Sequence, residues 1–184
     1  MPGLHSHLPR LGREHYQGFA MVHWTMNLRD RHREWLDDVS HAKLRELLLH
    51  MATMYGISVS VYCAMPDHTH LLWLGLRLNS DQLNACEFFR RHVNDMLATR
   101  YQARLQKQAY DHVLREKERE RGPFEKIAFY ILENPVRAGL VATAQNWPCS
   151  GCIVAGHPSW SVFHENYWET FWNWYAENRK KATS

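Results

Sequence analysis

The chain has 184 residues, 45% hydrophobic and 12% aromatic, with 22 Lys and Arg against 19 Asp and Glu. That apolar content can bury a core, which excludes wholesale disorder, and the length suits one domain with a tail. The net charge of +3 permits a nucleic-acid partner without requiring one. Four cysteines are too few for a disulfide scaffold, no run approaches the roughly 18–20 apolar residues of a membrane span, and the N-terminus lacks the apolar segment of a secretory signal. A reduced, cytoplasmic setting is the expectation.

Residues 1–18, rich in Pro, Gly, His and Arg, predict a flexible N-terminal arm. Residues 19–28 (FAMVHWTMNL) predict a first strand, followed by the basic turn RDRHRE. Residues 40–55 predict a helix, with Ser40 as N-cap and Leu44, Leu47, Leu48 and Met51 at helical spacing, stopped by Gly56. Residues 57–64 alternate and are β-branched, predicting a second strand. The short turn Met65-Pro66-Asp67 then leads into a third, antiparallel strand over 68–76. A second helix is expected over 80–101, capped by Ser80, with Leu83, Phe88, Val93 and Leu97 on one stripe. A short strand over 108–114 follows. Gly122-Pro123 breaks the chain before a helix over 123–134, which Pro135 ends. Residues 19–152 thus form the main domain. The tail, 153–184, should carry an aromatic helix over 160–178 that packs on the domain through Trp160, Trp168, Trp172 and Trp174.

Strand, helix, strand, strand, helix, strand is the order of an α+β sandwich of ferredoxin-like type. An antiparallel sheet of four to five strands would carry helices on one face. Such a fold hosts many activities, so function must be read from a site.

Two constellations could carry chemistry. His68-Thr69-His70 places two imidazoles on one face of the third strand, about 7 Å apart at Cα, where they can converge on one divalent ion. The plain alternative is a pair of solvent-facing strand histidines, and His5-Ser6-His7 has the same spacing in the expected arm. Tyr130 and Asn134, four residues apart, share a helix face. A phenol of pKa about 10 is a weak nucleophile unless its electrophile is polarised, and Asn134 could lend an amide oxygen to the same ion. Imidazole and oxygen donors suit Mn²⁺ or Mg²⁺, and imidazole suits zinc as well. Read alone, this pair is more simply a buried aromatic at a helix–sheet contact followed by an Asn-Pro helix stop.

The blocks together are more specific. MPDHTHLLW at 65–73 resembles the paired-histidine motif of HUH single-tyrosine transposases, with Thr69 in the usually more hydrophobic middle place. YDHVLR at 110–115, YILENPVRAGLV at 130–141 and WPCS at 147–150 resemble, in the same order, further blocks of the REP-associated tyrosine transposases. The resemblance spans roughly residues 20–152. It implies His68, His70 and Asn134 as metal ligands, Tyr130 as nucleophile, and a divalent cofactor, Mn²⁺ or Mg²⁺. It implies hairpin-forming single-stranded DNA as partner, cleaved and rejoined through a covalent 5′-phosphotyrosine link. No nucleotide cofactor is expected, and no Gly-rich Lys-Ser/Thr loop is present. Relatives occur as monomers and as homodimers. Tyr62, Tyr101 and Tyr110 compete with Tyr130, and Glu133 competes with Asn134.

Arg29, Arg31, Arg33, Arg90, Arg91, Arg100, Arg104 and Lys107 are candidates for tracking phosphates, or else belong to solvated faces. The alternative function is a domesticated, catalytically weak DNA-hairpin-binding protein. A third reading, a zinc protein using Cys149, Cys152 and histidines such as His157, needs two ligands beyond the CxxC pair.

Overall fold

The computed structural model describes residues 10–31 and 33–184, with the backbone alone of Arg31. Five strands form one antiparallel sheet: β1 (Met21–Asn27), β2 (Ile57–Ala64), β3 (His68–Gly75), β4 (Tyr110–Val113) and β5 (Ser150–Ile153). Their order is β4-β1-β3-β2-β5. The first four strands, with helices α1 (Asp38–Tyr55) and α2 (Gln82–Tyr101), make the expected ferredoxin-like sandwich, and β5 extends it at the β2 edge. Helices α3 (Arg121–Leu132), α4 (Asn134–Arg137) and α5 (Tyr167–Thr183) follow.

The expectation of helices on one face holds for α1 and α2 only. Their Leu44, Leu48, Met51, Phe89, Val93 and Leu97 bury Trp24, Val59 and Trp73 of that face. The other face, with Met21, Val61, Leu72 and Leu74, is covered by Phe124 and Ile131 of α3 and by Trp168, Phe171 and Tyr175 of α5. Burial on both sides explains why all eight residues of β2 are buried despite their alternating sequence. It also places the C-terminal helix in the core, as its aromatic content predicted.

A bulge shapes β2. Val59 pairs with Trp73 and Val61 with Leu72, leaving Ser60 as the extra residue. The alternation therefore switches: Val59 packs under α1 and α2, whereas Val61 and Cys63 pack under α3 and α5.

The helix starts differ from the sequence reading. Asp37, not Ser40, caps α1, and Ser40 sits at the third helical position, closing a reciprocal capping box. Asp81, not Ser80, caps α2; the buried Ser80 hydroxyl instead donates to the Gly56 carbonyl at 2.6 Å. Gly56 does end α1, in the left-handed region at φ 62°. Of the expected arm, residues 1–9, with His5 and His7, lie outside the described residues. Residues 10–18 are not loose: Arg13–Tyr16 form a 3₁₀ turn, and the buried Tyr16 bonds to Asp111 at 2.5 Å. A local composition of Pro, Gly and Arg does not reveal that one aromatic anchors the segment.

Candidate active site

The β2–β3 hairpin and the α3–α4 break meet at one end of the sheet, on the face shared with α3. His68 opens β3 and His70 follows on the same face, paired across the ladder with Asn27 and Thr25 of β1. One row runs across all five strands through Tyr110, Thr25, His70, Cys63 and Ser150.

The two imidazoles converge, Nε2 to Nε2, at 3.1 Å. Nδ1 of His68 lies 2.7 Å from Asp67 Oδ1, which places its proton on Nδ1 and leaves the Nε2 lone pair free. Burial works to raise the Asp67 carboxyl, but the hydrogen bond and charge of His68 and the charge of Arg33 hold it below its usual value. His70 is 9% exposed, and its Nδ1 lies 3.1 Å from both Thr25 Oγ1 and His23 Nε2. Burial first, then the charges of His23, His68 and Arg137, push His70 down to about 3, while a hydrogen bond to Asn134 opposes them. His23 falls to about 4, through burial and the charge of His112. His70 and His23 are therefore neutral near pH 7, and neutral imidazole is the form in which His70 can ligate a metal.

Asn134 owes its orientation to the proline after it. Pro135 has no N–H to offer the carbonyl of Ile131 one turn earlier. The Asn134 side chain supplies the donor: its Nδ2 reaches the carbonyl oxygens of Ile131 at 3.0 Å and Tyr130 at 3.2 Å. With its amine turned onto the helix, its Oδ1 is left for His70 and its surroundings. Tyr130, one turn earlier, is 57% exposed, and Arg137 stacks over its ring with Cζ 3.9 Å from the centroid.

Among the described residues no three His, Cys, Asp or Glu side chains gather as a metal site, so a third protein donor must be of another kind. The donor set nonetheless fits a divalent ion. Two nitrogens that share an ion at about 2.0–2.1 Å stand roughly 2.8–3.4 Å apart, which brackets the separation found. An amide oxygen completes a mixed nitrogen and oxygen set.

The competing tyrosines are placed elsewhere. Tyr62 is fully buried, its hydroxyl held by Arg45 at 2.6 Å and His41 at 3.0 Å. Tyr101 ends α2 beside Arg100 and Asp37. Tyr110 is exposed on β4, two strands from His70 in the common row. Glu133 is exposed at the helix break.

The basic candidates divide. Arg29 and Arg104 line one hollow of about 350 Å³ with Asp30, Gln102 and Ala103, and Arg33 lies 3.8 Å from Asp67. Arg91 and Lys107 are exposed, and Arg100 pairs with Asp37 at 3.3 Å. Arg90 is half-buried, and its guanidinium donates to the Gln106 carbonyl. The side chain of Arg31 lies outside the described residues. Cys149 and Cys152 are buried on opposite faces of the sheet, which removes the shared zinc site.

Four residues at the site escaped the sequence reading: Asp67, His23, Thr25 and Arg137. Asp67 had a local signal, a carboxylate directly before a histidine. His23 and Thr25 are visible only once the β1–β3 register is known.

The fold and this end of the sheet thus define a ferredoxin-like α+β protein with paired imidazoles and a helix-borne tyrosine. That fold is shared with a solved REP-associated tyrosine transposase bound to a REP hairpin. The two are 21% identical with a TM-score of 0.64, over 79% of this chain and 81% of that one. The crystal structure of a putative transposase from Deinococcus radiodurans aligns over 67% of this chain and 95% of that one. That alignment has 19% identity and a TM-score of 0.45. No family model and no curated protein matches the chain. No helix among the described residues is long and apolar enough to cross a membrane.

Proposed function

We propose that the chain is a transposase-like enzyme that cleaves and rejoins single-stranded DNA beside a hairpin, using Tyr130 as nucleophile and a divalent metal as cofactor. The observation that carries this reading is the convergence of His68 and His70 at 3.1 Å, with the Asn134 amide at His70 and Tyr130 one turn before it. Pure binding does not need that constellation. The shared fold and the hairpin bound by the structural neighbour support DNA hairpins as the partner.

When bound by His68, His70 and Asn134, Mn²⁺ or Mg²⁺ would draw charge from a scissile phosphate. The Tyr130 oxygen attacks phosphorus in line. A Tyr–O–P bond forms as the P–O3′ bond breaks, the phenol gives up its proton, and a 3′-hydroxyl leaves. The tyrosyl phosphodiester conserves the bond energy, so a later 3′-hydroxyl can displace Tyr130 and rejoin DNA without a nucleotide cofactor. Asp67, His23 and Thr25 hold the two rings in place. Arg29, Arg33 and Arg104 offer cationic contacts for the backbone near that end of the sheet.

The test is covalent trapping. Protein is mixed with end-labelled hairpin DNA and Mn²⁺ or Mg²⁺ and run on a denaturing gel. A metal-dependent shifted band, absent with Tyr130→Phe although that variant still binds the hairpin, is the expected result. Binding without a band in the wild-type protein would support the domesticated binding protein instead.

A further inference from the structure

We propose that Arg137 is a positioning residue for Tyr130, an inference that deepens the nucleophile reading above and rests on it. Tyr130, Asn134 and Arg137 occur at i, i+4 and i+7, one face of the helical path through the α3–α4 break. The Arg137 guanidinium lies over the phenol with Cζ 3.9 Å from the ring centroid, and its Nη2 donates to the Tyr130 carbonyl at 2.8 Å. That carbonyl also accepts from Asn134 at 3.2 Å. One oxygen therefore ties the nucleophile's backbone to a candidate ligand and to the cation that covers its ring.

Tyr130 needs such a hold. Its side chain is 57% exposed, and among the described residues its hydroxyl has no hydrogen bond and no aromatic ring stacks on it. An exposed phenol free to change rotamer would spend little time aimed at a phosphorus atom, and a misplacement of about 1 Å can cost roughly 100-fold in rate. A planar guanidinium stacked on the ring restricts that freedom in a way that an ammonium cannot. The Arg137 charge also acts on His70 and Cys63.

The test uses the full chain with 3-fluorotyrosine at position 130, compared among wild type, Arg137→Gln and Arg137→Lys. The expected result for Arg137→Gln is a ¹⁹F signal moved toward its denatured value. Adduct formation at saturating DNA should fall about 100-fold, with hairpin Kd changed less than threefold. Arg137→Lys should recover less than a tenth of the lost rate. An unmoved ¹⁹F signal, an adduct loss matched by an equal loss of binding, or full rescue by Lys would each overturn the proposal. If wild-type protein makes no adduct at all, the nucleophile reading fails on its own, and the ¹⁹F comparison still decides whether Arg137 orders Tyr130.

Discussion

The phenol of Tyr167 donates a hydrogen bond to the carbonyl of Ser60 at 2.7 Å, joining the C-terminal helix to the bulge of β2. The bulged residue is left out of the β2–β3 pairing, so its carbonyl needs another partner, and the buried Tyr167 provides it. The bulge in turn decides which residues of β2 lie under α3, Cys63 beside His70 among them.

Tyr167→Phe should therefore cost stability while conserving shape. Leaving one buried carbonyl unsatisfied costs about 1–3 kcal/mol. Urea unfolding followed by tryptophan fluorescence reads the change. An unaltered midpoint would show that the Ser60 carbonyl finds another donor.

His68→Ala and His70→Ala should each abolish adduct formation, with poor rescue by excess Mn²⁺, because each removes one of two converging nitrogens. The gel assay that tests Tyr130 measures this. Normal cleavage by both variants would remove the metal from the mechanism.

Asp67→Asn leaves both nitrogens in place but weakens the partner that fixes the His68 ring. Losses of outer partners of this kind reduce metal affinity about 10–100-fold. Calorimetric titration with Mn²⁺ should show that loss without DNA present. Unchanged affinity would mean that His68 is held by the strand alone.

Replacing Cys149 and Cys152 together with Ala should leave bound metal unchanged, because the two thiols lie on opposite faces of the sheet. Burial pushes Cys149 up to about 11 and raises Cys152 as well, so neither is a thiolate at neutral pH. Metal content measured after dialysis checks this. A lower stoichiometry in the double variant would restore a cysteine-held site.

Much of this was legible in the sequence, for reasons that differ by element. The Leu44, Leu47, Leu48, Met51 stripe and Gly56 specify α1 locally, and the three-residue connection before His68 specifies the hairpin. His68 and His70 share a face because strand geometry requires it. What stayed hidden depends on long-range pairing. The burial of Tyr16, the covering of the second face by α3 and α5, and the contacts of His23 with His70 join segments far apart in the chain. The caps were hidden for a subtler reason: Ser40 and Ser80 are both near helix starts, and only the structure shows that the Asp37 and Asp81 side chains accept from the third helical N–H groups, those of Ser40 and Asn84. The half-burial of Arg90 was hidden as well, because an arginine on a helix gives no sign, in sequence, of which side it faces.

The helix that carries Tyr130 is braced from behind. Trp172 and Trp168 of α5 lie edge-on to Phe124 of α3 at 5.1 and 6.1 Å between ring centroids, and Trp172 Nε1 donates to Glu125 at 3.1 Å. Phe129, next to Tyr130, meets Trp168 at 6.1 Å. The placement of Tyr130 is thus set partly by aromatic residues of the C-terminal helix. If Tyr130 acts as proposed, a mutational screen scored on DNA joining would return hits in the C-terminal helix, and a map of those hits drawn on the sequence would suggest a second functional region where there is only a buttress.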